Sequence, residues 1–300
     1  MLNKIVTVPA DAAVSLEQLG SKRKFWFNRD DGDYLFKEGW PESGGHWAEV
    51  ITCRICELLG IPHAKYQFAE YKNKIGVITK NFVPANGGLL FGNEMLAKMI
   101  PGYEKERTYR QRNYTLRVVV ALLRTISPLI DIDGIFRRSR SIVDPVDVFI
   151  GYILLDMLVA NQDRHHENWG IIVVPDRFLL APTFDHASSL GHNELDERRK
   201  EILTTNDTRQ SIESYSERAK SAFYSHIKHG MRMTTFDAFC YLAHIRPRAS
   251  AYWIHKLKKI TESILSEIIA DIPEKLMSNI CKEFAFRLLV HNKQRIEAKC

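Results

Sequence analysis

The spacing of apolar residues changes abruptly near residue 84 of this 300-residue chain. From Lys24 to Phe82 they form short, strand-like runs separated by turns such as DDGD and KNK, with one helical segment at about Trp47 to Leu59. Beyond Asn86-Gly87-Gly88, long helical periods dominate. This order predicts an α+β, bilobal protein: a small antiparallel β-sheet with one helix in residues 1–83, and a larger, mostly helical lobe in residues 84–300.

The second lobe is predicted in more detail from its apolar periods. Helices are expected over about Met95–Ile100, Thr115–Ile126, Val146–Ala160, Thr208–Phe223, Phe236–Ala243 and Ala251–Ile269, with a last helix beginning near Pro273. One hairpin is expected among them, formed by IIVV, a Pro-Asp turn and RFLLA.

The composition, with 45% hydrophobic and 26% charged residues, is sufficient for a folded core. A formal charge of +6 favours anionic partners such as nucleotide phosphates, nucleic acid or an acidic protein surface. The amino terminus lacks the pattern of a secretory leader, and no apolar run is long enough to cross a bilayer, so a cytoplasmic location is expected. Five cysteines give no four-thiolate zinc pattern, and Cys53 and Cys56 are expected to be reduced core residues.

The most informative stretch is NQDRHHENWG, residues 161–170, which lies between an apolar helix and the predicted hairpin. Asp163 and Asn168 have the separation of Asp and Asn in the catalytic loop of protein kinases. Asp185 follows the hairpin, in TFDHASSLG. Phosphoryl transfer from ATP needs a carboxylate near the attacking hydroxyl and oxygen ligands for Mg²⁺. The pattern therefore predicts that Asp163 faces an acceptor hydroxyl and that Asn168 and Asp185 bind the metal.

Each piece of this pattern also has an ordinary structural interpretation. Asp-Arg-His near an Asn is a common composition for a polar turn, and Phe-Asp can simply cap a helix. The pair His165 and His166 lacks the HExxH spacing that places two imidazoles on one helical face. We therefore predict that His165 holds the loop in shape through hydrogen bonds.

The segments NQDRHHENWG and FDHASSLG resemble the HipA family of serine/threonine kinases and, more remotely, the phosphoinositide kinases. The resemblance extends weakly over most of the chain from about Gly20 onward. It implies a bilobal protein-kinase-like fold, ATP and Mg²⁺ as cofactors, Asp163 as catalytic base, and Asn168 and Asp185 as metal ligands. Some members of the family are toxins paired with a DNA-binding antitoxin, so an antitoxin-like regulatory partner is also implied.

A kinase small lobe also requires a strand lysine that reaches the phosphates and a helix glutamate that holds it. Lys37 ends the strand YLFK, and Glu49 lies in the first turn of the following helix, so both positions are matched. The alternative is a solvated lysine and a glutamate favoured only by the helix dipole.

Nucleotide contacts are predicted in two segments. The loop of Gly20, Ser21, Lys22, Arg23 and Lys24 precedes a strand and could cradle phosphates, although with one glycine it could be a basic surface turn. Family members can be silenced by phosphorylation of a serine in this loop, which makes Ser21 the candidate here. The segment Thr79–Phe82 is expected to be the hinge, with Asn81 and Phe82 next to the adenine.

The resemblance implies a protein kinase that transfers the γ-phosphate of Mg-ATP to a serine or threonine hydroxyl of another protein or of itself. Two alternatives stay open: a lipid or small-molecule kinase, and a non-catalytic regulator that binds nucleotide. Basic segments at 109–114 and 135–140 could meet phosphates, but no nucleic-acid-binding motif is present, so direct nucleic-acid binding is not expected.

Overall fold

A computed structural model describes residues 4–12, 15–16, 23–40, 43–126, 140–227 and 229–299. In chain order the first lobe contains β1 (Val6–Thr7), β2 (Ser15–Leu16), β3 (Lys24–Arg29), β4 (Gly32–Glu38), α1 (Gly45–Leu59), β5 (Tyr66–Tyr71) and β6 (Lys74–Lys80). The second contains β7 (Gly88–Phe91), α2 (Gly92–Met99), α3 (Leu116–Leu123), α4 (Pro145–Leu158), β8 (Gly170–Val174), β9 (Arg177–Leu180), α5 (Asp196–Thr204), α6 (Ile212–Glu217), β10 (Lys220–Tyr224), β11 (Arg232–Thr234), α7 (Thr235–Ile245), α8 (Pro247–Lys258), α9 (Glu262–Ala270) and α10 (Asn279–Lys299).

The first lobe is a six-stranded sheet in the order β1-β5-β6-β4-β3-β2, with α1 packed against β5 and β6. All its neighbouring strands pair antiparallel except β1, which runs parallel to β5 at one edge. The register places Lys37 between Lys24 of β3 and Val77 of β6. Lys37 is therefore on a central strand, and its side chain is buried.

Helix α1 positions one face of the site. It ends where Gly60 takes a left-handed φ of 72° and donates its N–H to carbonyls of the last turn, a conformation that glycine adopts at little cost. Cys53 and Cys56 are buried in the core and free of disulfides, which confirms the prediction of core packing. Glu49, which lies on the same helix, is completely buried.

Helix α4 forms the centre of the second lobe. Its start is defined by Asp144, whose side chain accepts from Asp147 N–H, and by Pro145 at the first helical position. Every residue of α4 is buried, and the helix contacts α3, α7, α8 and α10. Strand β7 joins the β8–β9 hairpin in a three-stranded sheet. The chain thus passes from α4 through residues 159–169 into the hairpin, which returns it to residues 181–191.

The predicted helix over Thr208–Phe223 is wrong. Only α6, Ile212–Glu217, is helical, and β10 follows at once. In β10 burial alternates, with Ser221 and Phe223 buried, and the strand pairs with β11 in a second hairpin that the sequence prediction lacked. Pairing with β11 therefore outweighed the local helical spacing.

Helix boundaries near the carboxyl end also differ from the prediction. The segment Ala251–Ile269 is two helices, because Thr261 caps a new one by accepting from Ile264 N–H. The last helix begins at Asn279 rather than near Pro273, with the hydroxyl of Ser278 accepting from Cys281 N–H. Helix α5 was not predicted, since its nine residues are polar nearly all round. Within the described ranges, no helix combines the length and apolar character required to span a bilayer.

Candidate active site

The loop that follows α4 carries Asp163 and Asn168, and its own side chains hold it in shape. The Asn161 amide donates to the Asp156 carboxylate at 2.8 Å, and its carbonyl oxygen accepts from Asp163 N–H at 3.1 Å. The Asn168 amide donates to the backbone carbonyl of Asp163 at 2.6 Å. The two predicted site residues of this loop are therefore directly joined, and the Asp163 carboxylate is left partly exposed.

Arg164, to which the sequence analysis gave no role, stabilises this loop through hydrogen bonds in the interior of the protein. Its guanidinium makes two hydrogen bonds to the Asp156 carboxylate, at 2.8 and 2.7 Å, and both side chains are buried. It also donates to the backbone carbonyls of Asn168, at 2.8 Å, and Phe184, at 3.4 Å. Arg164 thus links the loop to the segment that carries Asp185. A carboxylate at 156 within the apolar run GYILLDMLVA was the available signal, because buried charges require partners.

Lys37, Glu49 and Asp185 form a cluster that joins the two lobes. The Lys37 amine lies 2.9 Å from Glu49 Oε1 and also forms an ion pair with Asp185 Oδ1. Burial alone would lower the pKa of Lys37, but the charges of Asp185 and Glu49 outweigh it and raise the pKa. Lys37 is therefore a fixed cation, and the structure brings together the strand lysine, the helix glutamate and the later aspartate predicted from sequence.

The backbone around Asp185 is fixed by the first lobe. Asp185 has a left-handed φ of 56°, which is uncommon for a residue other than glycine. Its N–H donates to the Tyr66 hydroxyl at 3.2 Å, and the next N–H, of His186, donates to Glu49 Oε2 at 2.8 Å. The His186 ring is buried and pairs with the Thr183 hydroxyl at 2.9 Å. These bonds stabilise a strained turn that directs the Asp185 carboxylate towards Lys37.

The electrostatic environment of Asp163 suits proton transfer. Burial raises the pKa of Asp163 to about 6, and the nearby charge of Asp185 acts in the same direction. The neighbouring Tyr109 and Ser188 hydroxyls oppose this rise in the pKa of Asp163, and Ser188 Oγ donates to Asp163 Oδ2 at 3.4 Å. A carboxylate with a pKa near 6 is ionised at neutral pH and still accepts a proton readily.

His165 lies beside Asp163, and its hydrogen bonds define its tautomer. Its Nδ1 accepts from Glu167 N–H at 3.2 Å, so the proton of the neutral ring is on Nε2, which faces Asp163 Oδ1 at 3.7 Å. Burial lowers the pKa of His165, which keeps the ring neutral at neutral pH. The ring thus contacts Asp163 and Glu167 on either side of it, and its role in holding the loop in shape stays a prediction.

Comparison with known proteins identifies the family. Residues 14–276 match the family model described as the HipA-like C-terminal domain. The chain belongs to this family. It is 26% identical over 267 residues to the serine/threonine-protein kinase CtkA of Helicobacter pylori, a match that covers 85% of this chain and 71% of that protein. The family predicted from the DRHHEN and FDHASSLG segments is thereby confirmed.

Solved structures show the fold of this HipA-like chain. The crystal structure of the Helicobacter pylori proinflammatory kinase CtkA has a TM-score of 0.71 at 19% identity, covering 97% of this chain and 95% of CtkA. HipA of Shewanella oneidensis, solved as a toxin–antitoxin complex with HipB and operator DNA, has a TM-score of 0.57 at 11% identity, with coverages of 96% and 66%. The predicted bilobal, kinase-like α+β fold is confirmed.

The HipA-like site has the donor atoms that Mg²⁺ requires. Mg²⁺ prefers oxygen ligands, usually one or two carboxylates together with substrate phosphates. Because the Asn168 amide nitrogen is engaged by the Asp163 carbonyl, the Asn168 carbonyl oxygen is the atom left for a metal. Asp185 adds a carboxylate that is 29% exposed. This donor set fits the ion.

The predicted nucleotide segments are placed only in part. Gly20, Ser21 and Lys22 lie outside the described residues, so their roles stay predictions. Lys24 begins β3 opposite Lys37, and the Arg23 guanidinium lies 5.9 Å from the centre of the Tyr71 ring.

The hinge predicted at Thr79–Phe82 overlaps the end of β6, which runs to Lys80. The Asn81 N–H donates to the Asp33 carbonyl at 2.8 Å, so this group is already engaged. The Phe82 ring stacks on Phe184, with ring centres 5.8 Å apart. Phe82 thus contacts the residue that directly precedes Asp185.

Proposed function

We propose that this HipA-like protein is an ATP-dependent kinase that phosphorylates serine or threonine hydroxyls of a protein. The observation that supports this most is the ion cluster of the buried Lys37 and Glu49 with the partly exposed Asp185. This cluster lies close enough to Asp163 for the charge of Asp185 to raise the pKa of Asp163 further, beyond the effect of burial. A phosphoryl-transfer site requires both parts, a cation for the phosphates and a base for the acceptor.

Each side chain then has a defined task. Lys37, oriented by Glu49, contacts the phosphates of ATP. Asp163 accepts the proton of the acceptor hydroxyl as that oxygen attacks the γ-phosphorus, the bond to the β–γ bridging oxygen breaks, and ADP leaves. Asn168 and Asp185 hold Mg²⁺, which neutralises phosphate charge when bound. His165 positions the loop. Residues 20–24 and the hinge with Asn81 and Phe82 contact the rest of the nucleotide.

The relatives support the acceptor class. CtkA is named a serine/threonine-protein kinase, and it matches most of the chain. We assign residues 1–83 to the nucleotide-binding lobe and residues 84–300 to the lobe that binds acceptor. An antitoxin-like regulatory partner is a further proposal, supported by the HipA–HipB complex. The cytoplasmic location remains a prediction.

The test offers protein and lipid acceptors side by side with ATP that carries a radiolabelled γ-phosphate. We expect label in a generic protein acceptor such as casein, or in the chain itself, and none in phosphoinositide vesicles. Asp185→Ala should lose labelling together with calorimetric binding of Mg-ATP. Label in lipid alone would favour the lipid-kinase alternative, and binding of Mg-ATP without any transfer would favour the non-catalytic regulator.

Transfer should depend on pH through Asp163. Because its raised pKa is about 6, the carboxylate is the active form, so activity is retained above the pKa and lost below it. We expect kcat/KM for the acceptor to be flat above about pH 7 and to fall roughly tenfold per unit below pH 6. Circular dichroism at each pH would exclude unfolding, and full activity at about pH 5 would contradict this role of Asp163.

A further inference from the structure

Three tyrosines lie in the segment 101–115, which runs beside the loop of Asp163. Two of them are buried and anchor the segment: the Tyr103 hydroxyl bonds to His166 Nδ1 at 2.7 Å, and the Tyr114 hydroxyl donates to the Arg164 carbonyl at 2.9 Å. The third, Tyr109, is 65% exposed. Since little packing holds the Tyr109 ring, its position depends on the few contacts that it makes.

Those contacts are with His165 and with its neighbour Asp163, the proposed base. The Tyr109 ring meets the His165 ring edge to face, with centres 5.8 Å apart, and His165 Nε2 lies 3.7 Å from Asp163 Oδ1. Burial and the neighbouring Asp163 carboxylate raise the pKa of Tyr109, so the Tyr109 hydroxyl lies beside that carboxylate. A phenol that donates to this carboxylate uses the same lone pairs as an acceptor hydroxyl about to be phosphorylated.

The backbone around Tyr109 does not need to move for this contact to break. Next to it, the Thr108 hydroxyl donates to Glu167 at 3.3 Å. The Asn93 amide donates to the Lys105 carbonyl at 3.1 Å, and Glu167 lies 3.4 Å from the same amide. Arg110, on the other side, has a left-handed φ of 58°, which marks a tight bend. The segment is therefore fixed to the catalytic loop, and displacement of Tyr109 requires only rotation of an exposed side chain.

We propose that the Tyr109 side chain covers the acceptor side of Asp163 until an acceptor hydroxyl takes its place. The proposal rests on the proposed function and adds a residue that competes with the acceptor. A water molecule is excluded from the same position, so Tyr109 also limits wasteful hydrolysis of ATP. In that side reaction water attacks the γ-phosphorus, the bond to the β–γ bridging oxygen breaks, the proton of water passes to Asp163, and ADP and phosphate leave.

Hydrolysis of Mg-ATP without any protein acceptor provides the first test. Tyr109→Phe removes the hydroxyl but keeps the ring, so water gains access to Asp163. Phosphate release should rise roughly 3- to 30-fold, less than for loss of a buried hydrogen bond to a charged group, because this contact is partly exposed. Tyr109→Phe combined with Asp163→Asn should lose this gain. Tyr241→Phe is the matched control, because Tyr241 is also an exposed tyrosine and lies on α7. An unchanged or lower rate in Tyr109→Phe would overturn the proposal.

Fluorine NMR tests the contact without relying on catalysis. The chain has eleven tyrosines, and in protein labelled with fluorotyrosine the Tyr109 signal is the one missing from Tyr109→Phe. This signal should shift in Asp163→Ala, and in Asp163→Asn if the alanine variant fails to fold. An unshifted signal would show that the contact does not exist. A shifted signal in a protein that fails to bind Mg-ATP would instead refute the proposed function while leaving the contact intact.

Discussion

Asp163→Asn should slow phosphoryl transfer by roughly 100- to 10,000-fold, the usual contribution of a general base, with little change in the affinity for Mg-ATP. The amide has the shape of the carboxylate but cannot accept the acceptor proton. Lys37, Asn168 and Asp185 are unchanged in this variant. Initial rates of protein phosphorylation and calorimetric titration with Mg-ATP would measure the two effects separately.

A matched variant shows whether the loss reflects chemistry or a disturbed loop. Ser188→Ala removes the other hydroxyl that contacts Asp163, at 3.4 Å, and leaves the carboxylate in place. We expect it to lose at most a few-fold in rate, because this hydrogen bond is long. If Asp163→Asn retained the activity of Ser188→Ala, Asp163 could not be the base.

The sequence predicted much of the site because its parts are close in the chain or follow a fixed order of elements. Asp163 and Asn168 share one loop whose internal bonds are local, and Asp185 follows the hairpin that leaves that loop. Lys37 and Glu49 are recognisable since they occupy successive elements, a central strand and the next helix. A motif read along the chain captures such arrangements.

Contacts between segments that are distant in the chain could not be predicted from such motifs. Tyr109 meets His165, beside Asp163, because the buried Tyr103 and Tyr114 attach its segment to the catalytic loop. A basic, aromatic stretch gives no indication of that neighbour. The helix predicted over Thr208–Phe223 is wrong for another reason: β10 pairs with β11 of the same hairpin, and the spacing within 208–223 does not indicate that partner.

Arg164 makes hydrogen bonds both within its own segment and to a more distant one. Breaking these bonds is expected to have the largest effect on stability. Asp156→Ala removes both hydrogen bonds that the buried Arg164 guanidinium makes to a carboxylate, and it also removes the acceptor of the Asn161 amide. Removing one partner of a buried ion pair typically costs about 3–5 kcal/mol, because the remaining charge is uncompensated. Urea denaturation should show a loss of that size in the free energy of unfolding.

Two comparisons would establish that burial, rather than ion pairing as such, causes this loss. Glu57→Ala breaks the exposed pair of Arg54 and Glu57 on α1, and it should cost only about 0–1 kcal/mol. The double variant Asp156→Ala with Arg164→Met should recover part of the stability, since no buried charge is then left unpaired. It should not recover Mg-ATP binding, because Arg164 also holds the carbonyls of Asn168 and Phe184 beside the proposed metal ligands. If Asp156→Ala lowered the free energy of unfolding as little as Glu57→Ala does, water or a rearranged loop would be compensating the charge of Arg164. The proposed role of the Asp156–Arg164 pair in holding the catalytic loop would then be wrong.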